Sequence, residues 1–290
     1  MRPQQTIELT EMPKAHSVQR LVRHLVAWFS TGGSSAVATK LVAEELDEIL
    51  YTHIDDQHPD SLRFVKDCEQ WFGKPITILQ SPLKSVEGAI RKNGKYIAGP
   101  GGAVCTRALK RRVRQKWEQE NVDKMPIEYV WGFDYDEQHR AERVLQTMPE
   151  YAHRFPLIEK KIGKQEAHEI LRASGIRRPA MYELGYHNNN CIGCIKGGKG
   201  YWNKIRVDFP EVFKARAELE RWANASCING VFLDELDPEA GLHESPIMDE
   251  CGLLCELQSL PMPNDAEVSH AAPPAASDKP TAQRGGVVLD

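Results

Sequence analysis

Two sets of side chains in this sequence have the types and spacing that do chemistry. The first is the run Ser30-Thr-Gly-Gly-Ser-Ser35, two glycines among four hydroxyls. Glycine lets an anion come close to the backbone, and hydroxyls add side-chain donors. N–H groups and the dipole at a helix start favour negative charge. Ser30, Thr31, Gly32, Gly33, Ser34 and Ser35 therefore read as a phosphate cradle, or as a plain strand-to-helix turn with Ser34 or Ser35 as N-cap. The run lacks the Lys-Ser/Thr pair of the P-loop and the third glycine of the dinucleotide fingerprint. The second set is cysteine. Cys191-x2-Cys194 and Cys251-x3-Cys255 are two close pairs among seven cysteines. Four thiolates on two such turns suit zinc or an iron–sulfur cluster. Cys68 and Cys227 read as small buried hydrophobes.

Charge adds a third candidate. Arg107, Lys110, Arg111, Arg112, Arg114 and Lys116 crowd one helix. They read either as a solvated face offset by Glu118 and Glu120, or as guanidinium forks and ammonium groups for phosphate or nucleic acid. Arg107 and Lys110, close to Cys105, are the best placed for a nucleotide phosphate. Asp55 and Asp56 close an apolar run, where carboxylates bind ribose hydroxyls or Mg2+, or cap a helix.

These groups need a scaffold. Residues 24–30, 49–54, 76–79 and 127–132 read as strands rich in apolar β-formers. Helices are expected over 36–45, 58–71, 103–121, around 140–145, over 164–173 and around 211–225. Alternation of the two types predicts an α/β protein with a doubly wound parallel sheet. Ligands in such sheets bind beyond the C-terminal strand ends, which would gather Ser30, Asp55 and Phe133. The texture changes near residue 182. The expected organisation is a nucleotide-binding domain over 1–181, a loop-rich cysteine-containing part over 182–261, and a disordered Pro/Ala/Ser-rich tail over 262–290.

The whole chain bounds the rest. At 290 residues and 41% hydrophobic content a full core is expected, and a formal charge of −4 gives no global push toward nucleic acid or anionic membrane. No apolar run reaches the roughly 20 residues of a membrane span. The first residues lack an apolar signal core, so a cytoplasmic protein is expected, in which cysteines serve thiol chemistry or metal rather than disulfides.

Several motifs resemble one family. Ser30–Ser35 resembles the PP-loop of the adenine-nucleotide alpha-hydrolase superfamily, Ser-Gly-Gly-x-Asp/Thr-Ser. Ser30, Gly32 and Ser35 match, Thr31 replaces the first glycine, and Ser34 replaces the Asp or Thr. Glu250-Cys-Gly-Leu253 resembles the Glu-Cys-Gly-Leu/Ile-His motif of phosphoadenosine-phosphosulfate reductases, with Leu254 in the histidine's place. Cys105-Thr-Arg-Ala-Leu-Lys110 is similar to that family's Cys-x-x-Arg-Lys segment. Segments 185–191, 201–206 and 209–213 resemble phage and bacterial members.

The resemblance implies a PP-loop fold that binds ATP or a related adenine nucleotide, with Mg2+, through Ser30–Ser35, Asp55, Arg107 and Lys110. It implies cleavage at the ATP α-phosphate to activate a small-molecule or nucleic-acid acceptor, with sulfur transfer as one outcome. It also leaves open phosphoadenylyl-sulfate reduction, with Cys251 as nucleophile and a thioredoxin-like reductant, and a non-catalytic nucleotide- or nucleic-acid-binding module with a structural metal. Two ligand sets compete for zinc or a [4Fe-4S] cluster: Cys191, Cys194, Cys251 and Cys255, or Cys105, Cys191, Cys194 and Cys255 with Cys251 free to attack.

Overall fold

Alternation along the first strand sets the architecture. β1 (His24–Trp28) and the Phe29 that follows send Leu25, Ala27 and Phe29 into one apolar cluster, and Val26 and Trp28 into another. A strand buried on both faces belongs in the middle of a covered parallel sheet. The computed structural model, which describes residues 23–98, 102–228 and 230–242, places it there. The other strands are β2 (Glu48–His53), β3 (Thr77–Gln80), β4 (Ile127–Val130) and β5 (Ala152–Arg154). All pair in parallel in the order β3-β2-β1-β4-β5. The chain runs outward from β1 through β2 to β3, then returns to β1's other side with β4. The order reverses between β1 and β4, which makes the end of β1 the topological switch point.

The helices are α1 (Gly33–Leu41), α2 (Asp60–Phe72), α3 (Val86–Lys92), α4 (Arg112–Glu120), α5 (Gln138–Thr147), α6 (Pro156–Glu159), α7 (Lys164–Ala173), α8 (Ala180–Glu183), α9 (Lys199–Asp208) and α10 (Pro210–Ala223). A wide π-type turn, Thr106–Arg111, leads straight into α4. α1, α2 and α7 cover one sheet face through Val37, Phe64 and Leu171. Trp117 of α4 and Val144 of α5 cover the other. α3, the 103–109 stretch and α10 enclose a third cluster containing Cys105 and Cys191, and α9 and α10 a fourth containing Cys194. All described residues fall in one compact unit. Among them, no helix is long and apolar enough to cross a membrane.

Three expectations change. α1 starts at Gly33, with Gly32 as its N-cap, so Ser34 and Ser35 sit inside the first turn and do not cap it. The basic helix is not a uniform solvated face: Arg114 is buried against Glu118, which also accepts from Tyr129. Phe133 does not join a site; it stacks on Trp131 and Phe155 in the core.

Candidate functional site

The loop after β1 is a closed knot of hydrogen bonds. Thr31 has φ 63°, a left-handed conformation that glycine takes freely and a β-branched residue does not. A threonine held there carries backbone strain of about 1–3 kcal/mol. A polar net holds it. Thr31 Oγ1 donates to the Ser30 carbonyl at 2.6 Å and accepts from Gln57 Nε2 at 3.5 Å. Asn189 Nδ2 donates to Thr31 O at 3.0 Å and to Ser61 Oγ at 3.0 Å. Ser35 Oγ accepts from the Ser30 N–H at 3.0 Å and closes the loop.

The first turn of α1 is covered. Tyr182 Oη accepts from the Gly33 N–H at 3.1 Å, and a Cβ on Gly33 would meet the His168 ring at 2.5 Å. Ser34 Oγ donates to Asp134 Oδ2 at 3.3 Å. Burial, with Glu137 adding to it, raises the Asp134 carboxyl above its ordinary range. Gly132, just past β4, lies so close that a Cβ there would be 2.4 Å from Ser35 Cα. Thr31, Ser34 and Ser35 are 0%, 1% and 2% exposed. The cradle is therefore packed shut, its Gly33 donor engaged by Tyr182.

Tyr51 ties the loop to its surroundings. Its hydroxyl donates to Gln57 Oε1 at 2.6 Å. Burial, foremost, holds the phenol protonated; the charge of Cys191 acts in the same sense and Lys110 against it. Lys110 is itself only 8% exposed. Tyr51 is thus tied to Thr31 through Gln57 and lies within electrostatic reach of Lys110 and Cys191. Asp55 sits half-exposed beyond β2, accepting from Gln80 Nε2 at 2.7 Å. Its neighbour Asp56 is structural: it caps α3 through Val86 N at 2.7 Å and pairs with buried Arg216 at 2.9 Å. Arg107 lays its guanidinium 5.7 Å from the Tyr96 ring.

Cys191 and Cys194 are both buried, on a turn with Gly193 at φ 67°. Tyr201 Oη donates to Cys191 O at 3.0 Å and accepts from Cys194 N at 2.9 Å, which locks the turn. Cys105 shares a cluster with Cys191, and Cys227 packs against that cluster and the one holding Cys194. Burial, with Glu220 beside it, pushes the Cys227 thiol well up. Among the described residues no group of three or more His, Cys, Asp or Glu side chains is placed to hold a metal ion. Cys251, Cys255, which completes either four-thiol set, and the Glu250–Leu253 motif lie outside the described residues. Two thiols on a tight glycine turn suit half of such a site.

Sequence reasoning did not single out Tyr182, Asn189, Gln57, Asp134 or His168. The only signal was the run Asn188-Asn-Asn190.

The fold and site define an α/β protein with a small-residue loop at the switch point of a five-stranded parallel sheet. No family model matches the chain, and no curated protein does. Among solved structures it is similar to phosphoadenylyl-sulfate (PAPS) reductase from Candida auris in its phosphate complex, at 11% identity and a TM-score of 0.44, over 59% of this chain and 82% of that one.

Proposed function

We propose that the chain is an adenine-nucleotide-binding enzyme of the PP-loop type. It binds ATP with the phosphates at Ser30–Ser35 and cleaves at the α-phosphate. An acceptor oxygen or nitrogen bonds to the α-phosphorus, the bond to the bridging oxygen breaks, and pyrophosphate leaves with its charge. The observation that carries this reading is the place of the loop: a Gly/Ser strand-to-helix turn at the switch point, where α/β sheets bind ligands. Asn189 Oδ1, a buried acceptor beside Thr31 without a hydrogen-bond partner, suits a ligand donor such as a nucleoside hydroxyl or amine rather than a phosphate oxygen.

Binding then exchanges internal bonds for ligand bonds. Phosphate oxygens take the Gly33 N–H from Tyr182, and the α1 dipole and the Lys110 ammonium stabilise the departing pyrophosphate. Mg2+ enters on the nucleotide's phosphates, its usual mode. The acceptor, a small molecule or a nucleic acid, is activated as its adenylate.

The test is calorimetric titration with ATP and Mg2+, followed by assay for AMP and pyrophosphate. Gly32 has φ −89°, which any residue adopts. The backbone therefore accepts a β-carbon at this buried position, and in Gly32→Val shown to fold by circular dichroism the branches should crowd the phosphate and lower affinity by about tenfold or more, ~1.4 kcal/mol per decade. Unchanged affinity in folded Gly32→Val sinks the loop assignment. Sulfite release from phosphoadenylyl sulfate with a thiol reductant, lost in Cys251→Ser, would replace ATP cleavage by reduction.

A further inference from the structure

An open cleft of about 990 Å³ lies between α7 and the segment 176–187, large enough for a nucleotide-sized ligand or a smaller one. Lys164, His168 and Arg172 line it from one face of α7, four residues apart. Arg177, Arg178 and His187 line it from the facing segment. Two carboxylates, Glu169 and Glu183, share the wall. Glu183 is engaged by Arg178 at 2.9 Å. Lys164 donates to the neutral Asn188 Oδ1, with Asp134 also within its electrostatic reach.

His168 reports on this imbalance. Arg178 Nη1 donates to His168 Nδ1 at 3.2 Å, so hydrogen bonding assigns the ring proton to Nε2. That Nε2 is buried and has no partner. Burial, then Arg178, Lys164 and His187, hold the imidazole down to about 4. Burial and Lys164 press His187 down as well. Lys164, Arg178 and His187 meet here around His168, cationic and donor groups that Glu183 and Asp134 only partly offset, an arrangement that suits a phosphate.

We propose that this cleft binds a small phosphorylated ligand, its phosphate held by Lys164, Arg178 and His187 beside the His168 ring, and its body lying against Tyr182, Tyr186 and Ile176. The proposal goes beyond the nucleotide at Ser30–Ser35 and does not depend on it. His168 and Tyr182 form the partition between the two sites, since both also cover Gly33.

Calorimetry with inorganic pyrophosphate, AMP and a ten-residue single-stranded oligonucleotide tests it, on wild type, Arg178→Gln, Lys164→Gln and Gly32→Val. Whatever Gly32→Val removes at the loop, a pyrophosphate site should persist in Gly32→Val with the affinity it has in wild type, and that site should bind about tenfold more weakly in Arg178→Gln and Lys164→Gln. AMP should show the same loss in the two cleft variants. Three results overturn the proposal: no pyrophosphate binding to wild type, binding lost in Gly32→Val but kept in the cleft variants, or binding of the oligonucleotide alone. A ring titration of wild type by NMR decides independently of any variant's folding. The groups facing His168 are Arg178, Lys164, His187, Tyr182, Arg172, Glu169 and Glu183. Pyrophosphate should raise the His168 midpoint by about one pH unit, and an unmoved midpoint refutes the site.

Discussion

The loop after β1 and the cleft beside α7 share two side chains, His168 and Tyr182, and differ in almost every other respect. The loop is buried and its polar groups are satisfied from within: the Ser30 N–H donates to Ser35, the Gly33 N–H to Tyr182, and Thr31 accepts from Gln57 and Asn189. The cleft is open and its charges are only partly matched. A buried donor left unpaired costs about 1–3 kcal/mol, so a cradle inside a protein closes on itself when no ligand fills it. Cations at a surface meet water and carry no such penalty. The difference teaches that the loop must trade bonds to bind, whereas the cleft only adds them.

The largest break in this comparison comes from glycine. A Cβ at Gly132 strikes the Ser35 backbone at 2.4 Å, and backbone cannot step aside. Gly132→Ala should destabilise the protein by about 3 kcal/mol in urea unfolding and weaken ATP binding with it. A Cβ at Gly33 strikes only the His168 ring, at the same closeness. That ring can rotate into the cleft, so Gly33→Ala should cost about 1 kcal/mol. Equal costs for the two would show that the His168 partition is as rigid as the sheet.

Protonation of the partition comes next. The His168 midpoint of about 4 in the folded chain lies below the ordinary 6.5. The folded state therefore resists a proton that the unfolded state accepts. Stability is complete above about pH 6.5 and falls as the pH drops from 6.5 toward 4, where the loss levels off. One full proton gives a slope of ~1.4 kcal/mol per pH unit; with solvent on the cleft side, the total is on the order of 2 kcal/mol. His153 and His187 shift in the same direction, so the readout is a difference. His168→Gln should flatten the pH profile of the unfolding free energy over that window. A profile parallel to wild type would place the histidine in solvent.

The same contrast explains what the sequence disclosed. The short continuous apolar run of β1 and the amphipathic run Lys164–Ala173, stopped by Ser174-Gly175, were legible because both follow from local composition and spacing. β5 was not, being three residues of mixed polarity, Ala-His-Arg. α9 was hidden by the glycine run Gly197–Gly200 at its start. The loop was legible as small residues at a helix start, but its closure was not. Tyr182 lies 149 residues from Gly33 and Asn189 lies 158 from Thr31, and no local pattern encodes such pairs. Likewise Arg107–Lys116 looked like one basic face, yet folding sorted it by turn, sending Lys110 and Arg114 inward.

Tyr182 allows a finer test of the trade. Tyr182→Phe removes the acceptor from the Gly33 N–H and keeps the ring against His168, 4.7 Å away. The free protein should lose about 1 kcal/mol, because a buried donor is orphaned. A nucleotide phosphate supplies the missing acceptor, so ATP affinity should rise by about fivefold. Calorimetry on the two proteins side by side decides. A fall in affinity would make Tyr182 a nucleotide contact, and the loop would then be a preformed site, closer in kind to the cleft.

The smallest effect falls on the far rim of the cleft. Arg177 pairs with Asp60 at 3.1 Å but is 63% exposed on its side chain. Asp60 has stronger company: Arg63 donates to both carboxyl oxygens, and the Ala180 N–H adds 2.8 Å. Those bonds, with Arg63 foremost, hold the Asp60 carboxyl at about 2. Arg177 is a third partner on an already saturated carboxylate. Arg177→Gln should therefore change unfolding stability by less than ~0.5 kcal/mol, and salt should change that little. Its charge, however, faces the cleft. Pyrophosphate affinity should fall by about threefold at low salt, and the loss should shrink as ionic strength screens it. A stability cost above ~1 kcal/mol with unaltered affinity would assign Arg177 to holding the fold, and would leave the cleft's anion to Lys164, Arg178 and His187.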